Sequence, residues 1–169
     1  IVLADADLEN AVRTATQSRM QNAGQSCIAA KRFIVSSRVK DEFVDRFTTS
    51  IRGLKQGNPF DESVTTGPLA RIDLAETLEK QLTNSIKLGA RLVTGGQRNG
   101  CNFLPALLDL VTPGMPAFDQ ETFGPLGAVI TASSDEEAIR LANMSRYGLG
   151  ASIWTRDLEK GEKYAREIE

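Results

Sequence analysis

The 169-residue chain contains no histidine. That absence removes Ser-His-Asp and Cys-His catalysis. Only two cysteines are present, Cys27 and Cys101. Without histidine they cannot complete the usual four-ligand zinc site, so no metal centre is expected. Two distant cysteines make no disulfide framework either, which points to a reducing compartment, the cytosol or the mitochondrial matrix. No apolar run approaches the roughly 18 residues of a membrane span. No charged-then-apolar signal segment opens the chain. Excess charge of one sign is also lacking, since 20 basic residues stand against 22 acidic ones. Neither nucleic acid nor an anionic membrane is therefore expected as a partner.

What remains is a chain of ordinary globular composition, 41% hydrophobic and 25% charged. Its length suits one domain. Folding a chain of this size removes roughly 70% of the unfolded surface from water, enough for a real core.

Ile1-Val2-Leu3 is a short apolar run that reads as the end of a strand, as if the chain began in mid-element. Asp5 or Asp7 can cap the helix that follows, whose buried face carries Leu8, Ala11, Val12 and Ala15. Gly24 is expected to stop it. Arg32 to Val35 is a strand ended by Ser36-Ser37. Val39, Phe43, Val44, Phe47, Ile51 and Leu54 mark a second amphipathic helix. After a polar loop to Pro68, Ile72, Ala75, Leu78, Leu82 and Ile86 share one face of a third helix. Gly89 ends that helix, Arg91 to Thr94 is a strand, and Gly95-Gly96 turns the chain. Phe103 to Val111 is apolar with Pro105 inside it, which suits an edge or interrupted strand. A loop rich in Pro, Gly and acid runs from Pro113 to Pro125 before a strand over Leu126 to Thr131. Ser134 with Glu137 is a capping box for the next helix. Ala151 to Trp154 reads as a last strand, and Asp157 caps a last helix.

Strands and helices alternate throughout. The expected fold is therefore α/β, a mostly parallel open sheet with helices on both faces. In such a sheet, loops at the carboxyl ends of the strands are the expected functional edge.

Two loops are candidates for chemistry. Gln21-Asn22-Ala23-Gly24-Gln25-Ser26-Cys27 places a cysteine at the end of a polar turn containing glycine. A cysteine there can be an inert core residue, or an exposed thiol whose thiolate is a nucleophile. Without histidine, activation would come from backbone dipoles, a carboxylate or lysine, or a group outside the chain. The second loop is Asp119 to Pro125. It is a solvated acidic turn, or its carboxylates accept hydrogen bonds from sugar hydroxyls while Phe123 packs on a planar ring. Lys31 and Arg32 read as surface charges, and Cys101 as structural or incidental. Gly95-Gly96 is a turn and not a phosphate cradle, for no GxGxxG follows a strand.

Taken together the loops resemble the aldehyde dehydrogenase superfamily. Asn22-Ala23-Gly24-Gln25-Ser26-Cys27 resembles its active-site cysteine motif, and Glu121-Thr122-Phe123-Gly124-Pro125 its E-x-F-G-P motif. Ile1 to Asp7, Thr66-Gly67-Pro68-Leu69, and Asn143 with Tyr147 to Ala151 fit in the same order. The run Cys27 to Val35 is most similar to the branch that oxidises succinate semialdehyde and related small aldehydes.

The resemblance implies the following. Cys27 is the nucleophile, and its own backbone N–H is half of an oxyanion hole. Glu121 holds the nicotinamide-side ribose of NAD or NADP, with Phe123 close to the nicotinamide. Gln21, Ser26 and Ile28 line the aldehyde pocket, while Asn143, Gly148 and Leu149 place the last loop. Residues 1–169 are then the cysteine-bearing catalytic domain of a longer homo-oligomeric enzyme, a dimer or tetramer. Its dinucleotide-binding domain, its general-base glutamate and its closing strands lie outside the segment. Such a segment is expected to be inactive alone and to self-associate through its cut sheet edges. Gln21 stands where some succinate-semialdehyde enzymes have an arginine, and Ala106 where the family usually has threonine. A CoA-acylating relative, in which CoA replaces water, is the rival enzyme reading. The rival outside enzymes is a non-catalytic α/β assembly module.

Overall fold

The computed structural model describes all 169 residues. Its centre is a four-stranded sheet in the order β1-β6-β5-β2. These strands are β1 (Arg32–Ser36), β6 (Leu126–Ala132), β5 (Ala106–Asp109) and β2 (Arg91–Thr94). β1 runs parallel to β6 in the register Arg32 to Ala128 through Ser36 to Ala132. β6 is parallel to β5, and β2 closes the far edge antiparallel to β5. Two short strands, β3 (Arg98–Asn99) and β4 (Asn102–Phe103), form a separate hairpin.

The central strands are apolar on both sides because helices cover both sides. Phe33 and Val35 of β1, Leu107 of β5 and Val129 of β6 point to one face. There they meet α1 (Leu8–Met20) and α2 (Lys40–Arg52) through Ala11, Val12, Ala15, Phe43 and Phe47. The Phe33 and Phe47 rings pack edge-on at 4.9 Å. Ile34, Leu108, Ala128 and Ile130 point the other way. They pack under α3 (Ile72–Lys87), the four-residue α4 (Pro116–Asp119) and α5 (Asp135–Asn143). α6 (Leu158–Ala165) packs Tyr164 on Leu3 and Ile139.

Helix starts follow the expected caps. Asp7 accepts from the Asn10 N–H, Ser134 from the Glu137 N–H, and Asp157 from the Lys160 N–H. Glu137 does not close the capping box on Ser134; its carboxylate accepts from the Ser133 N–H and hydroxyl instead. Asp5 caps nothing. It accepts from the Thr155 hydroxyl and the Arg156 and Asp157 N–H groups, tying the first turn of the chain to the approach of α6.

Several expectations need correction. α1 stops at Met20, before Gly24, because Asn22, Ala23 and Gly24 all adopt left-handed φ values of 50°, 53° and 73°. Ile72 and Ile86 do not belong to the buried face of α3; they are 52% and 38% exposed, beside the buried stripe of Ala75, Leu78, Leu82 and Ser85. Of the two readings of the Phe103–Val111 run, the interrupted strand holds, broken at Leu104-Pro105, and the edge strand does not, since β5 lies inside the sheet. The 113–125 segment contains α4. Ala151 to Trp154 is not a strand: Trp154 makes one isolated parallel bridge, to Val2, which in turn bridges Val35.

Candidate active site

The two motif loops enter β1 and β6. Because these strands are parallel neighbours, both loops sit at the amino-terminal edge of the sheet. The carboxyl edge was the expected one. There β6 leads into α5, whose Glu137 N–H is already engaged by Ser134.

The Cys27 turn is built by a left-handed run that reverses the chain after α1. Three successive positive φ values aim backbone groups inward at cost, and the surroundings hold them there. Asn22 and Gln25 exchange hydrogen bonds: the Asn22 amide donates to the Gln25 carbonyl at 3.0 Å, and the Gln25 amide returns to the Asn22 carbonyl at 3.2 Å. The Gln25 side-chain oxygen accepts from the Ala70 N–H at 2.8 Å, latching the turn to the Pro68–Leu69 segment.

Gly24 touches the second loop backbone to backbone. A Cβ on Gly24 would lie 2.2 Å from the Gly124 carbonyl oxygen. The same glycine's carbonyl accepts from Arg19 Nη2 at 2.7 Å. Arg19 is fully buried, and its Nε and Nη1 have no hydrogen-bond partner. Burial pulls its guanidinium down to about 10, with the Glu121 charge opposing.

Lys31 lies on the other side of the turn. Its ammonium donates to the carbonyls of Cys27 at 3.2 Å, Ala29 at 3.1 Å and Ser26 at 3.4 Å. It also stands 3.7 Å from Glu121 Oε1, an ion pair too long for a hydrogen bond. Burial and the Arg19 charge hold the Lys31 ammonium below its usual value, against the pull of Glu121 and Cys27. Arg32 donates to the Leu141 and Ala142 carbonyls at the end of α5 and stacks 5.0 Å over the Phe118 ring. Neither Lys31 nor Arg32 is the free surface charge that local sequence suggests.

Cys27 is exposed, as are Gln21 and Ile28, while Ser26 is half-buried. The Cys27 N–H donates to no acceptor within the chain. Cys101 is a second free thiol, half-buried in the β3–β4 turn. In the other loop Glu121 is exposed, Phe123 half-buried and Thr122 buried. The Gln81 amide on α3 holds the Glu121 carbonyl at 3.0 Å, which fixes the backbone, while the carboxylate stays part-exposed beside Lys31. The Asn143 side chain spans the Glu167 carbonyl and the Glu169 N–H, whereas Leu149 stands exposed. Arg19 escapes sequence reading, and Lys31 reads there only as a surface charge. Arg19 had a signal: it continues the Ala11–Ala15 spacing, so it falls on the apolar face of α1.

Comparison with known proteins agrees with this arrangement. The aldehyde dehydrogenase family model matches residues 1–169. The chain is 44% identical over 172 residues to a succinate semialdehyde dehydrogenase [NAD(P)+] of Escherichia coli K12, covering 100% of this chain and 37% of that protein. It is 45% identical over 172 residues to a probable succinate-semialdehyde dehydrogenase [NADP(+)] of Synechocystis, covering 100% and 38%. The solved succinate-semialdehyde dehydrogenase of Burkholderia pseudomallei superposes with a TM-score of 0.95 at 36% identity, over 98% of this chain and 35% of that one. The chain thus spans little more than a third of the length of these relatives. Sequence, fold and the pairing of the two motif loops agree: the chain belongs to the aldehyde dehydrogenase family.

Proposed function

We propose that this chain is the cysteine-bearing catalytic part of an NAD(P)-dependent enzyme that oxidises a small aldehyde, succinate semialdehyde or a close relative, to its acid. One observation carries the reading. An exposed cysteine, with a free backbone N–H of its own, sits on a turn whose glycine abuts the loop that presents Glu121 and Phe123. The names of the most similar relatives support the substrate.

The Cys27 thiolate attacks the aldehyde carbon, forming a C–S bond and turning the carbonyl oxygen into an alkoxide. The Cys27 N–H donates to that oxygen, where charge develops. Holding the reacting carbon on sulfur makes the following step intramolecular in effect. The residues fit a dinucleotide: the exposed Glu121 carboxylate offers acceptors for ribose hydroxyls, and Phe123 offers an apolar face. Bound against these residues, NAD(P)⁺ would supply the hydride acceptor needed for the carbon held on Cys27 to reach the thioester level. Water cleaves the thioester, releasing the acid and restoring Cys27. On this reading the dinucleotide fold and the base that activates water lie outside these residues.

The test is aldehyde-dependent NAD(P)H formation by the enzyme that carries this chain. Cys27→Ala is expected to reduce it to background, with Cys101→Ala leaving it near the parent rate. A Cys27→Ala enzyme that keeps its rate overturns the assignment.

A further inference from the structure

Arg19 lies on the buried face of α1 with Val12, Ala15 and Met20. Fully buried there, its guanidinium has given up the water around every one of its N–H groups. It recovers one bond, from Nη2 to the Gly24 carbonyl at 2.7 Å, while Nε and Nη1 have no partner. A buried donor left unpaired costs more than a made bond returns. A methionine would fill similar space without that loss. Stability alone therefore does not account for this side chain. Its one bond falls where the two motif loops meet. Gly24 ends the left-handed run of Asn22, Ala23 and Gly24, at φ 50°, 53° and 73°. Ala23 is buried and carries no polar side chain with which to hold such a conformation, so other groups must hold it. A Cβ on Gly24 would lie 2.8 Å from Arg19 Nη2 and 2.2 Å from the Gly124 oxygen, so the guanidinium and the opposite loop grip the same glycine.

We infer that Arg19 is a positioning residue for the reaction: held in the core at a cost in stability, its guanidinium fixes the Gly24 carbonyl and so sets the Cys27 turn against the Glu121 loop. The inference rests on the proposed reading of Cys27 as the nucleophile. Arg19 works from behind the turn. It is fully buried, out of reach of aldehyde and dinucleotide, and acts through Gly24. The far side of the turn is latched separately, by Gln25 to the Ala70 N–H and by Lys31 to the carbonyls of Ser26, Cys27 and Ala29. Arg19 fixes its entry. Without that bond the left-handed run is free to relax and Gly24 to withdraw from Gly124, which shifts Cys27 relative to Glu121 and Phe123.

The experiment uses the enzyme that carries this chain, as the parent, Arg19→Met, Arg19→Lys and Cys27→Ala. Aldehyde-dependent NAD(P)H formation is measured well below the melting temperature of each. Arg19→Met is expected to melt at or above the parent temperature, because an underpaired buried cation has been replaced by an apolar side chain. Its kcat should fall about ten- to hundredfold, the cost of misplacing a reacting group by up to ~1 Å. The aldehyde KM should stay near the parent value, so that kcat and kcat/KM fall together. Amide exchange should quicken in the peptide over residues 21–28 and not in α2. Arg19→Lys, which keeps a donor, should recover part of the rate. A merely structural residue would behave otherwise, with a lower melting temperature, faster exchange throughout and a kcat restored on cooling. That pattern, a parent-like kcat in Arg19→Met, or its failure to melt cooperatively overturns the inference and leaves Cys27 as nucleophile. A Cys27→Ala enzyme that keeps the parent rate removes the nucleophile reading, and the inference with it.

Discussion

Replacing Gly24 by alanine tests the contact on which the site depends. The perturbation has two parts. Gly24 has φ +73°, where an L residue pays about 1–2 kcal/mol. The added Cβ would also lie 2.2 Å from the Gly124 oxygen and 2.4 Å from its carbonyl carbon. Both are backbone atoms of the opposite loop, and Arg19 Nη2 at 2.8 Å blocks a third direction. The two nearest atoms are backbone and cannot swing aside as a side chain could, so the loops must part, at roughly the 1–3 kcal/mol of an overpacked core. The sum is about 2–5 kcal/mol, a large share of the ~5–15 kcal/mol that holds a domain together. Two control glycines separate the parts. Gly100 has φ +61° with nothing within 4 Å of its Cβ, so Gly100→Ala carries strain alone. Gly150 has neither positive φ nor a neighbour, and Gly150→Ala should be close to neutral. Urea unfolding followed by circular dichroism gives all three. The expected order is Gly24→Ala well below Gly100→Ala, with Gly150→Ala near the parent. If Gly24→Ala and Gly100→Ala are equally destabilised, the two loops are not in backbone contact and the site geometry described above is wrong.

Two further outcomes follow from single hydrogen-bond clusters. At Asp5, burial raises the carboxyl, but the Thr155 hydroxyl and the Arg156 and Asp157 N–H groups outweigh it and hold the group below its usual value. A folded pKa below the unfolded one gives stability that is present above the unfolded value of about 3.9 and lost as pH falls through the folded value. Asp5→Asn should therefore cost about 1 kcal/mol at pH 7, a figure discounted for solvent, and progressively less below about pH 4. Urea midpoints at pH 7 and pH 3 check this, and a gap that stays constant between them refutes it. Ser134→Ala removes the 3.1 Å bond from the Glu137 N–H that starts α5 and should cost about 1 kcal/mol by the same assay, the usual worth of an N-cap. A change within error of zero would mean that the Glu137–Ser133 bonds carry the cap alone.

Local features of the chain were legible where the cause is local. Asp7, Ser134 and Asp157 announce helix starts because an N-cap needs only a short polar side chain and the next turn. β1 and β6 read as strands because both of their faces are buried, which makes the apolar run continuous. The errors share another cause: each depends on what covers a residue. Ile72 and Ile86 have helical spacing, but the covered stripe of α3 runs through Ala75, Leu78, Leu82 and Ser85 and leaves both beside it. Ala151 to Trp154 is extended and apolar enough for a strand, yet its only neighbour is the three-residue stretch Ile1 to Leu3, which is too short for more than one isolated bridge. The carboxyl-edge expectation failed because strand direction decides which loops are neighbours, and β1 and β6 were placed side by side by contacts about 95 residues apart along the chain.

The site itself shows why part of it stayed hidden. A cysteine after a Gly-containing turn is visible as a pattern, and so is Glu121-Thr122-Phe123-Gly124-Pro125. What joins them is not. Gly24 meets Gly124 through backbone atoms that carry no sequence signature beyond the absence of a side chain. The charges that hold the joint, Arg19 and Lys31, look out of place locally: one interrupts the apolar face of a helix, the other precedes a buried strand. Burying two cations is costly unless something needs them. Arg19 repays its burial with one carbonyl bond and leaves two nitrogens without partners. A stability-driven core would replace it with an apolar residue of similar volume. Arg19 and Lys31 instead brace the turn, one through the Gly24 carbonyl and the other through the carbonyls of Ser26, Cys27 and Ala29.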